Sequence, residues 1–78
     1  MKRIFVNLNK IDDLKKFIVV VSKFPSVVYA QHNEYIVSAK SLLGLLSLDL
    51  NKPLCIRYNE EGVDSTILSE LEEFSIDK

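Results

Sequence analysis

The chain has 78 residues, a net charge of −1 and 47% hydrophobic against 27% charged residues, the mix of a soluble folded domain with room for one core. Its longest unbroken apolar run, Phe17–Val21, is five residues, against the ~20 that a membrane span needs. One histidine, one cysteine and no glycine-rich loop leave little reactive hardware, which argues against a self-sufficient enzyme and predicts no cofactor.

From Lys2 to Leu8 the sequence reads as a strand, with Ile4, Val6 and Leu8 alternating. Asn7, Asn9 and Lys10 mark a polar turn. Ile11, Leu14, Phe17, Ile18 and Val21 then recur at the spacing of one helical face. Asp12 and Asp13 suit the first turn of that helix and Lys23 its last, while Pro25 forbids continuation. Ser26–Gln31 and Tyr35–Val37 are β-branched and aromatic runs around a turn at His32-Asn33, a predicted hairpin. Ser41 is placed as the N-cap of a second helix, Leu42–Leu48. A connector, Asp49–Pro53, leads to a fourth strand, Leu54–Tyr58, and a turn at Asn59–Gly62. Val63, Ile67, Leu68, Leu71 and Phe74 form the apolar stripe of a third helix.

The order β-α-β-β-α-β-α predicts a single α+β domain over residues 1–78, a two-layer sandwich with helices on one face of an antiparallel sheet. Lys2-Arg3 and the short apolar run after it do not read as a cleavable signal, so none is expected. Cys55 has no partner for an internal disulfide, so a reducing cytoplasm is expected.

Residues 1–40 hold seven Lys/Arg against three Asp/Glu, and residues 41–78 three against eight. The acidic excess (Glu60, Glu61, Asp64, Glu70, Glu72, Glu73 and Asp77) reads as the solvated face of a C-terminal helix or as a means of steering a protein partner. The basic residues are scattered singly, with no basic–aromatic cluster, so the sequence predicts no nucleic-acid partner.

His32 falls in the hairpin turn, where an exposed histidine without chemistry is expected, and nothing near it completes a metal site. Cys55, between Leu54 and Ile56, reads as a small buried hydrophobe. The middle segment is richer. Five of the seven residues Leu42–Leu48 are leucine, more than one buried stripe of a two-turn helix can use. Leu45 and Leu48 can share the buried stripe, Leu42 and Leu46 define another edge and Leu43 flanks them, so some of these side chains should remain exposed as a contact site; the alternatives are a fully submerged helix or leucines scattered harmlessly at the surface. Ser41 has two readings, a plain cap and a phosphorylation site with Lys40 as counter-charge.

Ser38-Ala39-Lys40-Ser41-Leu42, with Leu45, Leu48 and Leu50 following, resembles the central segment of the histidine-containing phosphocarrier (HPr) family. That family relays phosphate in the phosphotransferase sugar-uptake system. Phe17, Phe24 and Asn33 fall where it has a helix phenylalanine, a post-helix phenylalanine and a hairpin asparagine. The resemblance implies an open-faced sandwich, four antiparallel strands with three helices on one side. The family's transfer site is a histidine opening the first helix, followed by an arginine and a proline. Counted back without a gap from Ser41, those positions hold Lys10, Asp12 and Asp13, and a carboxylate there would repel a phosphoryl group.

The resemblance therefore implies a member whose phosphohistidine relay is lost. In many members the serine at the position of Ser41 is phosphorylated by a dedicated kinase and helps bind a regulator. The family's docking surface maps to Leu42, Leu43 and Leu46. The expected function is a non-catalytic regulatory or adaptor domain that binds a protein partner: a regulator, a kinase or a phosphotransferase component. Two alternatives are a phosphocarrier using His32 and a domain that self-associates, as a weak homodimer, through the leucines.

Overall fold

A computed structural model of the protein describes residues 1–76; Asp77, counted above with the acidic residues, lies outside them. Seven elements follow in the expected order: β1 (Lys2–Val6), α1 (Ile11–Val21), β2 (Tyr29–His32), β3 (Tyr35–Ser38), α2 (Leu42–Leu46), β4 (Leu54–Tyr58) and α3 (Ser65–Glu72). The strands form one antiparallel sheet in the order β1-β4-β2-β3.

Strand alternation separates the two faces. Ile4, Val6, Leu54, Ile56, Tyr58 and Ala30 belong to the face under the helices, where they pack with Leu14, Phe17, Val20, Val21, Leu45 and Leu71. Phe17 meets Phe74 edge-on at 5.5 Å between ring centres, and Phe24 meets Tyr58 likewise at 5.8 Å, the arrangement that aromatic quadrupoles favour. Burial pushes the Tyr58 hydroxyl above its ordinary pKa, and the charges of Glu72 and Glu60 add to the shift.

Several boundaries differ from the sequence reading. β1 stops at Val6, opposite Leu54 on one side and bridged to Ser75 on the other. Leu8 is still fully buried, as part of the loop. The buried stripe of α1 is Leu14, Phe17, Val20 and Val21, whereas Ile11, at the open first turn, is exposed. Lys23 lies two residues beyond the end of α1, where its ammonium faces Glu70 at 3.8 Å, an exposed pair of small energetic weight.

Ser26–Val28 bend away after Pro25, so β2 begins at Tyr29, although the Val28 carbonyl still accepts from the Ala39 N–H at 2.7 Å. His32 is the last residue of β2, paired with Tyr35, and the turn is Asn33-Glu34. Asn33 takes φ 55°, a left-handed conformation that asparagine tolerates better than most residues. α2 ends at Leu46 because the Ser47 hydroxyl donates to the Gly44 carbonyl and Leu48 closes a tighter turn onto Leu45. Asp64 caps α3 by accepting from the Thr66 N–H at 2.8 Å, which leaves Val63 before the helix and Phe74 after it.

Candidate functional site

Ser41 adopts extended backbone angles, and its Oγ accepts from the Gly44 N–H at 3.0 Å. The cap reading of this serine is thus realised. Gly44 itself permits the close seating of α2 on β3: a Cβ there would stand 3.3 Å from Ser41 Cβ, Ser41 Oγ and Val37 Cβ. With the helix held down at this point, Leu45 is fully buried and Leu48 nearly so. Leu42, Leu43 and Leu46 are 41%, 81% and 48% exposed. The surplus leucines fall together on the outer side of one short helix, directly after the capping serine.

Lys40 does not stand ready as a counter-charge for Ser41. Its Nζ donates to the Phe24 carbonyl at 2.6 Å, tying the start of α2 to the end of the α1 segment. Lys10 is the residue before α1 and makes no side-chain cap there; exposed Asp12 and half-buried Asp13 occupy the first turn. These three stay together at one helix end, on a different element from Ser41. His32 is half-buried rather than free in a turn, with the Asn33 amide 3.5 Å from its Nε2. Cys55 is also half-buried, because its side chain belongs to the sheet face that no helix covers. No group of three or more His, Cys, Asp or Glu among the described residues is arranged to hold a metal ion. No helix among them is long and apolar enough to cross a membrane.

The uncovered face assembles residues that the sequence disperses. Arg3 on β1 stands opposite Arg57 on β4, which stands opposite Tyr29 on β2. The neighbouring row runs Phe5, Cys55, Gln31 and Ile36. Arg3, Arg57, Phe5, Tyr29 and Ile36 are all exposed. Reading along the chain separates Arg3 from Arg57 by most of its length; only the strand order makes them neighbours. No family model matches the chain, and neither a curated protein nor a solved structure matches it.

Proposed function

We propose that this protein is a non-catalytic, HPr-like regulatory or adaptor domain that docks a protein partner through Leu42, Leu43 and Leu46, with Ser41 as a phosphorylation switch. The exposure of three neighbouring leucines on α2 carries the reading: an exposed apolar cluster on a small domain often marks a contact surface. The matching partner presents an apolar surface of its own. Ser41 adjoins the patch, half-buried, so a phosphate on its Oγ would add about two negative charges at the rim of the contact. That charge would either recruit an arginine-bearing partner or repel one seated on the leucines. Lys10, Asp12 and Asp13 are the remains of a phosphohistidine site and have no transfer role in this reading.

The switch is tested by incubating the protein and its Ser41→Ala variant with the phosphocarrier-family serine kinase and ATP, followed by intact-mass measurement. One added phosphate on the wild type alone supports it, and no phosphate refutes it. Docking is tested by placing a photo-crosslinker at position 43, identifying the captured protein, and titrating that protein, purified, against wild type and Leu43→Asp. Binding that survives Leu43→Asp refutes the patch. Sedimentation at two concentrations separates partner docking from self-association, since a concentration-dependent dimer abolished by Leu43→Asp would assign the patch to a second copy.

A further inference from the structure

We propose that the uncovered sheet face binds single-stranded nucleic acid, Arg3 and Arg57 holding phosphates while Tyr29 and Phe5 stack on bases. Three observations converge on it. First, among the described residues the face is cationic without compensation. Arg3 and Arg57 are directly opposed across β1 and β4, a placement that like charges disfavour. The two ion pairs among the described residues, Lys2–Glu60 and Lys23–Glu70, leave both guanidiniums out. Neither row of the face contains an acidic residue. A bound anion relieves the repulsion that the fold tolerates.

Second, planar groups lie beside the charges. Tyr29 is the cross-strand neighbour of Arg57, and Phe5 is two residues along β1 from Arg3. With adjacent strands ~4.8 Å apart, Arg3, Arg57 and Tyr29 fit within roughly 10 Å, a span suited to one or two nucleotides. Exposed rings on a sheet offer π-faces to any base. A cleft lined by Arg3, Phe5, Gln31, His32 and Lys52 continues the cationic surface at the end of the same face.

Third, the geometry favours a nucleic acid over an acidic peptide. β4 and β2 are each paired on both sides, so an extended peptide lying on the face finds no free ladder to join. Side chains alone must hold the ligand, and guanidiniums with aromatic rings match phosphates with bases. The acidic residues of the turn after β4 and of α3 keep the whole chain near neutral, so binding is confined to this face and weak.

Fluorescence anisotropy of a labelled twelve-nucleotide oligo-dT, titrated with the full chain across a salt series, tests the proposal. Three phosphate contacts, from Arg3, Arg57 and Lys52, give a slope of roughly −2 in log K against log salt. Arg57→Gln and Arg3→Gln should each flatten that slope by about 0.7. Tyr29→Ala should weaken binding about tenfold with the slope unchanged, and Leu43→Ala should leave binding unaltered. Thermal melts of the variants, all at exposed positions, establish that each is folded. Absence of binding at low salt overturns the proposal. So does equal displacement by poly-glutamate together with no effect of Tyr29→Ala, which would make the face a general polyanion surface.

Discussion

Leu43 and Leu45 share a helix and a chemistry but differ in surroundings, and that contrast yields a sharp prediction. Leu45 is fully buried and Leu43 is 81% exposed. Truncating a buried leucine to alanine costs about 2–5 kcal/mol, the lost transfer energy plus the cavity left behind. A chain of this size has on the order of 4–12 kcal/mol of total stability. A loss of ~3 kcal/mol lowers Tm by roughly 12–24 °C in so small a domain. For Leu43, about a fifth of the side chain is removed from water, worth roughly 0.3–0.6 kcal/mol, and alanine's better helix propensity returns part of that. Leu43→Ala should therefore shift Tm by no more than ~4 °C. Thermal unfolding of both variants, followed by far-UV circular dichroism at one protein concentration, reads the difference. A Leu43→Ala loss as large as that of Leu45→Ala would refute the reasoning, because it would mean that Leu43 is covered in the free protein.

Three further outcomes follow from single contacts. Ser41→Ala removes the acceptor for the Gly44 N–H and should cost about 1 kcal/mol in denaturant unfolding, whereas Ser41→Asp, which keeps an acceptor, should cost less. Asn33→Ala should lose roughly 1 kcal/mol at the left-handed turn position while Asn33→Gly stays close to wild type; equal losses in the two would refute the backbone explanation. The raised pKa of Tyr58 means that, above the ordinary value of 10.0, the unfolded chain gives up its phenolic proton first and the folded chain retains it. Stability from this group is complete below that pH and falls as pH rises toward the folded pKa. Tyr58→Phe should flatten the alkaline limb of a stability–pH curve, and an unchanged limb would exclude Tyr58 as its source.

The order of elements was legible because each carries its own period or punctuation: a strand alternation up to Val6, the 3.6-residue recurrence of Leu14, Phe17 and Val21, the cap at Ser41. The split within the leucine segment was legible too, since a helix of known period cannot bury five leucines at once. What stayed hidden depended on the backbone of the hairpin or on partners distant in sequence. The turn moves from His32-Asn33 to Asn33-Glu34, where Asn33 takes a positive φ. Lys40 is diverted by a carbonyl sixteen positions away. The clustering of Arg3, Arg57, Tyr29 and Phe5 contradicts the impression of scattered basic residues, and no local pattern announces it. It exists only in the register of β1, β4 and β2.

That strand order also sets a schedule for folding. Among the named strands β1 pairs with β4, its other edge being bridged to Ser75, and β4 is also the link between β1 and the β2-β3 hairpin. While the chain emerges from a ribosome, β1 and α1 are made first and then wait for some thirty further residues before a sheet can close. The hairpin can form early, because its two strands are separated by two residues, but it has nothing to join until β4 arrives. Nascent chains halted before Leu54 should thus lack a sheet beyond the hairpin, leaving Phe17 and Leu14 without their cover. Closure of the sheet waits on β4. A substitution that weakens β4 would consequently slow the closure of the whole sheet rather than loosen one strand of it.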